Sequence, residues 1–366
     1  MIMANNNENK VLNVPPLRFP EFSGVWKKCT INDLATVVGG GTPDTTVKSY
    51  WGGDIQWFTP SEIGKNKYVD FSLRTITRDG LDNSSAKLLP LHTILLSSRA
   101  TVGECSIASN ECTTNQGFQS LIAKQCNIDF LYYLIQTKKK DLIRNACGST
   151  FLEISANEIR KIKVAVPVQN EQEQIAKLLS LVDERIATQN KIIEKYESLI
   201  NGINCKIFAS IQGSEYRLGD IATITNGNSN VQDASTEYRI GFYPFFDRSE
   251  EIKYLPTFLF DKESIIYPGE GTEFTPRYFN GKFAVHQRCY AIFDFKEVVN
   301  PKFVYFFLKT QNSYFIRNAV GSTVPSLRLD TFQKLKVVIP LPEIQHSVSS
   351  FLSVLEQKLD VENNVI

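Results

Sequence analysis

The octapeptide IRNACGST at residues 143–150 recurs with one change as IRNAVGST at residues 316–323. Both copies belong to a longer match, because residues 127–193 align without a gap onto residues 300–366 at a constant offset of 173. Within that match KIKV at residues 161–164 recurs as KLKV at 334–337. A match of this length indicates an internal duplication, which decides the fold more than any local pattern does.

The beginnings of the two copies also correspond, at a different offset of 187. INDLAT at residues 31–36 resembles LGDIAT at residues 218–223, and a glycine turn follows each. The change of offset means that the centres of the copies differ in length. A similar frame around a divergent centre is expected of two modules that do the same job on different targets.

Each copy is predicted to be a mixed, strand-rich α/β (α+β) unit. Short segments rich in Val, Ile and aromatic residues, bounded by turn residues, are predicted strands: 93–97, 118–123, 163–168, 264–267, 282–293 and 334–340. Residues 129–145 and their copy 302–318 have helical spacing and are predicted helices.

A coiled-coil pattern follows each copy. Between about Gln172 and Phe208, apolar residues alternate at spacings of four and three, broken only by Gln189, which predicts a rigid helical spacer roughly 55 Å long. The polar residue Glu362 interrupts the second helix where Gln189 interrupts the first, so we expect the two helices to pair as an antiparallel coiled coil. The alternative is that each amphipathic helix packs on its own unit. The predicted seam residues are Ile175, Leu179, Val182, Ile186, Ile193, Val348, Leu352, Leu355 and Leu359.

These patterns divide the chain into four predicted regions: a first unit at 1–165, a central helix at 166–210, a second unit at 211–340 and a short C-terminal helix at 341–366. The second helix stops where the first has reached only Ile193, so either the natural protein ends early or the sequence is cut.

The composition excludes several classes of protein. The 366 residues carry 40 Lys and Arg against 39 Asp and Glu, a net charge of +1, which excludes a strongly basic tail or an acidic mimic. Seven cysteines without a CxxC pair predict free thiols in a reducing cytoplasm rather than a zinc site or a disulfide framework. No apolar run is long enough for a signal peptide or a membrane span.

Motifs of catalysis are also missing. The sequence has no GxxxxGK[ST] loop, no HExxH and no GxSxG, and its three histidines fall in none of these settings. We therefore predict that the chain is not an enzyme and binds no metal or cofactor, although an unrecognised active site stays open.

The repeat and its short phrases resemble the DNA-specificity (S) subunit of Type I restriction-modification systems. The phrases are LRFPEF (17–22), GGTP (40–43), YWGGDI (50–55), WFTPS (57–61), LSSRATVG (96–103) and TNQGF (114–118), and the resemblance runs from about Leu17 to the end. It implies that each unit is a target recognition domain that reads one half of a split sequence in double-stranded DNA. It also implies that the helices set the spacing and dock two modification (methyltransferase) subunits, which restriction subunits join. Those partners would bind S-adenosylmethionine, ATP and Mg²⁺, and the complex would work in the bacterial or archaeal cytoplasm.

Candidate DNA-contacting residues are polar or aromatic side chains on the predicted loops. Arg, Lys, Asn and Gln can donate hydrogen bonds to base edges, and Ser and Thr can contact phosphates. In the first unit the candidates are Thr42, Trp57, Thr59, Ser61, Lys65, Asn66, Lys67, Ser98 and Arg99; in the second they are Asn228, Asn230, Arg248, Ser249, Thr272, Arg277 and Tyr278. The two Gly-Ser-Thr turns are either phosphate-binding turns or helix-to-strand connections.

Charge is divided unevenly between the predicted regions. Residues 1–165 carry 19 basic and 15 acidic residues and residues 211–340 carry 15 and 14, whereas the helical regions carry 5 against 6 and 1 against 4. This division fits DNA-facing units on a coil that faces proteins. A two-unit scaffold that binds protein or glycan is the alternative function.

Overall fold

The chain consists of two compact strand-rich units. A computed structural model describes residues 2–3, 15, 17–148, 152–321 and 323–364. By its internal contacts the chain divides into Met1–Arg185 and Ile186–Ile366, so the border lies inside the long central helix. The four finer region boundaries stay a prediction.

The first unit combines four sheets with short helices. Its elements are β1 Ile2–Met3, β2 Leu17–Arg18, β3 Lys27–Thr30, α1 Ile31–Leu34, β4 Ala35–Gly39, β5 Trp51–Phe58, β6 Tyr68–Val69, β7 Arg74–Ile76, α2 Arg78–Asp82, β8 Ile94–Leu96, β9 Cys105–Ala108, β10 Cys112–Thr114, β11 Gln119–Ala123, α3 Ile128–Thr137, α4 Lys139–Arg144, α5 Ala156–Lys161, β12 Lys163–Val166 and the start of α6 Gln169–Ser210. The main sheet has the order β4-β11-β8-β9-β6, and β10-β5-β7 and β12-β3 form smaller sheets. Strands β1 and β2 pair with each other.

The second unit contains the end of α6 and one large sheet. Its other elements are β13 Ser214–Arg217, α7 Leu218–Ile221, β14 Thr223–Asn226, β15 Tyr243–Phe246, β16 Lys253–Leu255, β17 Phe260–Pro268, β18 Arg277–Val285, β19 Cys289–Phe293, α8 Pro301–Lys309, α9 Asn312–Asn318, α10 Leu329–Gln333, β20 Lys336–Ile339 and α11 Pro342–Asn363. The sheet has the order β14-β19-β17-β18-β15-β16, and β13 pairs with β20.

The duplication is visible in the register of the small paired strands. In the first unit Lys163 of β12 lies opposite Thr30 of β3, and in the second Lys336 of β20 lies opposite Arg217 of β13. These pairs differ by the offsets of 173 and 187 that the sequence shows. The two segments with different offsets therefore pair in the same register in both units, and the divergent centres lie between them.

Three of the predicted elements are each divided in two in the structure. The strand predicted at 282–293 is two strands, because the polar residues 286–288 turn the chain and β19 returns on the other side of β17. The helix predicted at 129–145 is likewise two helices, α3 and α4, and its copy is α8 and α9. A threonine lies at each helix break: Thr137 and Thr310 each donate a side-chain hydrogen bond, 2.7 Å long, to a carbonyl three residues back, a bond that competes with helix continuation.

A buried glutamine fixes the start of the long helix in each unit. Gln172 is 4% exposed; its Oε1 accepts from the backbone N–H of Asn127 at 3.0 Å, and its Nε2 donates to the Pro167 carbonyl at 3.0 Å. Asn127 in turn caps α3 by accepting from the N–H of Phe130. The side chain therefore ties three segments together: the end of the small sheet, the first turn of α6 and the capped end of α3.

The second unit repeats this arrangement of a buried glutamine and its backbone partners, which is called the glutamine clamp below. Gln345 is fully buried; its Oε1 accepts from the N–H of Asn300 at 2.8 Å, and its Nε2 donates to the carbonyls of Pro340 and Val298, both at 2.9 Å. Because glutamine offers one acceptor and two donors on a long stem, the side chain satisfies backbone groups that neither helix can satisfy itself.

The long helix begins at Gln169 and ends at Ser210, which confirms the prediction and makes it about 63 Å long. In the second unit its residue Gln189 donates to the carbonyl and to the carboxylate of Glu362, at 3.1 and 2.6 Å. Residues 197–205 of α6 line the same cleft as residues 356–360 of α11. From the Gln189–Glu362 contact to this cleft, residue numbers rise along α6 and fall along α11. The two helices therefore run antiparallel over this stretch, as predicted.

The seam is only part of what these helices bury. Ile175 packs on the core of the first unit, and Val348 and Phe208 pack on the core of the second, where Leu352 is fully buried. Val182 and Ile186 are 45% and 40% exposed. Packing of each helix on its own unit, the alternative interpretation, is therefore seen near the ends, and pairing is seen between Gln189 and Cys205, whereas Val182 and Ile186 of the predicted seam are exposed in the structure.

We expect Gln172→Leu to destabilise the first unit, because the substitution leaves a buried N–H and a buried carbonyl without partners. Each such group costs about 1–3 kcal/mol. Denaturant unfolding, together with hydrogen exchange at the Asn127 amide, measures the effect. Gln174→Leu, two residues along the same helix at an exposed position, is the matched control. Equal stability of the two variants would contradict the clamp.

Two glycines should respond in opposite directions to alanine. A Cβ on Gly40, in the turn after β4, would lie 2.0 Å from the Asn115 carbonyl oxygen, so Gly40→Ala must displace the backbone of that loop. A Cβ on Gly202, inside α6, would meet nothing within 4 Å, so Gly202→Ala should stabilise the protein by about 0.5–1 kcal/mol. Thermal unfolding of both variants checks this, and a stable Gly40→Ala protein would count against the close approach.

Candidate nucleic-acid interface

Loops of the first unit meet around residues 114–118. The Gly41 N–H donates to the Thr114 carbonyl at 2.8 Å, and the Asn115 N–H donates to the Phe58 carbonyl at 3.0 Å. On the other side the Ser98 N–H donates to the Gly117 carbonyl at 2.8 Å. Three loops that follow β4, β5 and β8 are therefore held together by backbone hydrogen bonds, and each carries predicted candidates.

Four of those candidates are accessible on these loops. Thr42 donates to the Gln116 side chain, and Thr59 donates to Glu62 at 2.6 Å in the capping box of the next turn. Ser61 is exposed, as is Arg99, which forms a 2.8 Å ion pair with Glu153. An exposed pair of this kind is worth little to stability, so the guanidinium can exchange its partner for a phosphate at small cost. Lys65 and Asn66 are also exposed, further along the loop after β5.

Two candidates of the first unit, Trp57 and Ser98, are buried, and a third, Lys67, is partly buried and held by partners within the unit. Trp57 is 4% exposed, and its indole N–H donates to the Gly41 carbonyl at 2.9 Å, which positions the turn before Thr42. Ser98 is fully buried. Lys67 pairs with Asp129 at 2.8 Å and donates to Ser180 of α6 at 2.7 Å, so it fastens the unit to its helix.

In the second unit a groove of about 690 Å³ gathers several candidates. Arg248, Ser249, Thr272 and Arg277 line it together with Thr323, the last residue of the second Gly-Ser-Thr turn. A neighbouring groove of about 660 Å³ shares Arg248 and Ser249 and is lined by Asn230 as well. The sequence thus predicted residues that the fold brings together from segments far apart in the chain.

Asp247 and Arg277 build the turn that presents Arg248. Asp247 accepts from the Ser249 N–H at 2.8 Å and from Lys253 at 2.6 Å, and Arg277 donates to the carbonyls of Asp247 and Ser249 at 2.6 and 2.5 Å. Burial alone would raise the pKa of Asp247, but the hydrogen bonds from Lys253 and Ser249 hold it below its usual value. Burial lowers the pKa of Arg277. Arg248 itself is exposed and forms no ion pair with the described residues, so it is the accessible arginine of this turn.

Two candidates of the second unit lie elsewhere. Asn228 is exposed on the loop after β14, outside both grooves. Tyr278 follows Arg277 on β18, so its side chain points to the opposite face of the sheet, where its hydroxyl donates to Glu263 and its ring lies near Tyr305. Tyr278 is therefore separated from the groove that Arg277 lines.

Sequence reasoning missed polar residues at the rims of both sites. His286, Gln287 and Arg288 line the second groove, and Arg288 pairs with Glu270 at 2.6 Å. Gln116 holds Thr42 in the first unit. The signal was available, since these residues form polar runs between apolar strands, but only the fold shows that they border the candidates.

The Gly-Ser-Thr turns occupy equivalent places. Isolated bridges join Cys147 with Glu153 and Val320 with Ser326, so each turn is closed at its base. A further bridge joins each base to the neighbouring loop, through Arg99 in the first unit and Glu270 in the second. Ser149, Thr150 and Ser322 lie outside the described residues. The described ends of both turns border the candidate surfaces.

Two further properties concern only the residues that the structure describes. Among them no group of three or more His, Cys, Asp or Glu side chains is placed to hold a metal ion. No helix in that part of the chain combines the length and the apolar character that crossing a membrane requires.

Comparisons with known proteins identify a family. The family model described as "Type I restriction modification DNA specificity domain" matches twice, over residues 24–198 and 213–366. The MjaIX specificity subunit of a Type I restriction enzyme from Methanocaldococcus jannaschii is 30% identical over 91% of this chain and 87% of its own length. The EcoR124I/EcoR124II specificity subunit from Escherichia coli is 29% identical over 46% of this chain and 43% of its own length.

A solved structure agrees in fold. The Type I restriction-modification S subunit from M. genitalium superposes with a TM-score of 0.60 over 94% of this chain and 92% of its own, at 19% identity. The double match of the family model coincides with the two units and with the duplication in the sequence. The chain therefore belongs to the family of DNA specificity subunits of Type I restriction-modification systems.

Proposed function

We propose that each unit reads one half of a split DNA sequence, the first through the loops around residues 114–118 and the second through the grooves around Arg248. The observation that carries the proposal is the similar frame around divergent loops. Strand register, glutamine clamp and helix caps repeat in both units, whereas the loops that bear the candidates differ in length and in residues. A shared frame with different loops is what two different half-sites require.

The chemistry of the loops supports DNA as the ligand. An exposed arginine can donate two hydrogen bonds to guanine O6 and N7, and serine or threonine hydroxyls can contact phosphates. Arg248 sits between Asp247 and Ser249 in a turn braced on both sides, so its backbone is fixed while its side chain stays accessible. Fixed backbone and accessible side chain are the requirements of specific readout.

The antiparallel helices and the sequence motifs support further proposals about assembly. We infer that the antiparallel helices set the distance between the half-sites and dock two modification subunits, and that restriction subunits join the assembly. S-adenosylmethionine, ATP and Mg²⁺ would be bound by those partners, with adenine methylation as the outcome. The rival function, a scaffold for protein or glycan, finds no support in the comparisons.

We expect Arg248→Ala to relax the methylated motif in one half only, and Arg99→Ala to relax it in the other. Loss of one bidentate base contact costs about 1–3 kcal/mol of discrimination, whereas loss of a phosphate contact lowers the salt slope of binding by about one without changing the motif. Methylome sequencing of DNA treated with each assembled complex distinguishes these cases.

Arg217→Ala is the control for this experiment, since Arg217 is an exposed arginine on β13 in the shared frame. Relaxation of both halves by a single variant would contradict the assignment of one half to each unit. An unchanged motif and unchanged salt dependence in both variants would remove these arginines from the interface.

Arg277→Ala tests the braced turn. Without the guanidinium the carbonyls of Asp247 and Ser249 lose a shared donor, so hydrogen exchange at the Ser249 amide should accelerate and the affinity for the second half-site should fall together with it. Arg277→Lys offers a single ammonium in place of the planar fork and should restore the turn only in part. Loss of affinity with an unchanged exchange rate would instead assign Arg277 a direct contact with DNA.

A further inference from the structure

A polar cleft of about 680 Å³ lies in the second unit, beside the larger groove around Arg248, with which it shares Glu273 and Thr275. Helices α6, α8 and α11 and the loop before β18 form its walls. Its lining includes Glu197, Glu273, Glu356 and Asp360 but a single basic residue, Lys309. The cleft is therefore strongly acidic on a chain whose overall charge is +1.

The one basic residue does not neutralise the acids. Lys309 forms an ion pair with Glu356 at 2.5 Å, and the Tyr305 hydroxyl donates to the same carboxylate at 3.0 Å. Burial and the charges of Glu356 and Asp360 together raise the pKa of Tyr305. The carboxylates of Glu197, Glu273 and Asp360 form no salt bridge with any residue that the structure describes. Three carboxylates of the lining thus remain without a cationic partner.

A buried acceptor in the lining points to a hydrogen-bond donor. Asn204 of α6 is 3% exposed, and its Nδ2 donates to the Phe306 carbonyl at 2.9 Å. That bond fixes the orientation of the amide and leaves Oδ1 as the free acceptor. Oδ1 is buried and accepts no hydrogen bond from the described residues. Leaving a buried carbonyl unpaired is costly, and a donor in the cleft would offset that cost.

The first unit lacks this arrangement, so the shared frame does not require it. At the offset of 173, Lys309 corresponds to Gln136, Glu356 to Asp183 and Asp360 to Ala187. In the first unit the carboxylate of Asp183 accepts a hydrogen bond from the Tyr133 hydroxyl at 2.6 Å. The extra negative charge of the second unit is therefore a property of the cleft rather than of the duplicated fold.

We propose that this cleft binds an organic cation, an alkylammonium or guanidinium group that donates to Asn204 Oδ1 and is neutralised by Glu197 and Asp360. The lining supplies acceptors in excess, and ammonium and guanidinium groups are donors only. The described residues place no set of ligands for a metal ion there, which favours a hydrogen-bonding cation over a metal. A free polyamine or a lysine or arginine side chain of a partner subunit presents this chemistry.

The test measures the binding of spermidine and of arginine amide to the isolated full-length chain, by calorimetry and by the shift in melting temperature at constant ionic strength. We expect both probes to bind and to raise the melting temperature. The double variant Glu197→Gln/Asp360→Asn should bind each probe at least about fivefold more weakly, because each lost ion pair removes part of the attraction. Its melting temperature without a probe should be higher than that of the wild type, since like charges across the two helices no longer repel. That rise also shows that the variant is folded.

The control is Glu194→Gln/Glu343→Gln, which removes two exposed carboxylates from the same two helices outside the cleft. Equal affinity of the two double variants, or no binding of either probe by the wild type, overturns the proposal. Repeating the titration on the chain assembled with modification subunits identifies the source. The spermidine effect disappears if a partner side chain fills the cleft and persists if a free polyamine is the ligand. No DNA is present in these measurements, so their failure leaves the reading of half-sites unaffected.

Discussion

The buried glutamine at the start of each long helix is the contact on which the arrangement of each unit depends. Gln172 and Gln345 join the end of a small two-stranded sheet, the first turn of a helix and the capped end of a second helix. Backbone groups at helix ends and in Pro-bounded turns have no partners of their own, and burial makes leaving them unpaired expensive. One amide side chain satisfies them together, which fixes the direction in which each long helix leaves its unit.

The strands and helices next to the glutamine clamp are alike in the two units, whereas the loops and central sheets differ. The paired strands β3 and β12 repeat in β13 and β20 with the same register, and the threonine breaks after α3 and α8 repeat as well. Between these anchors the first unit has two separate sheets, whereas the second has one sheet of six strands. Changes in the centre leave the clamp and the small sheet intact, so a family built on this frame can vary the DNA sequence it reads without losing its assembly geometry.

Charged residues are likewise divided between the loops and the long helices. Arginines near the loops are exposed or braced against carbonyls, as Arg248 and Arg277 show, whereas carboxylates gather along the second helix. Basic loops suit a polyanion and acidic helices suit basic partners. The cleft at Glu197 and Asp360 is a case of the second kind, and these two residues lie on the helices that the proposed function assigns to assembly rather than to DNA.

The sequence alone determined the duplication, the length of α6 and the family, because these rest on periodicity and on residues near one another in the chain. It also placed Arg248, Ser249, Thr272 and Arg277 among the candidates by residue type. Only the tertiary structure showed that Trp57 and Ser98 are buried, that Lys67 is paired with Asp129, that Tyr278 faces away from Arg277, and that Arg277 braces a turn instead of standing free. The acidic cleft was equally invisible in the sequence, since its lining comes from α6, α8, α11 and a loop between strands. Local patterns fix which elements form, whereas the burial of a side chain and its partners depend on contacts between segments distant in sequence, which no local pattern encodes.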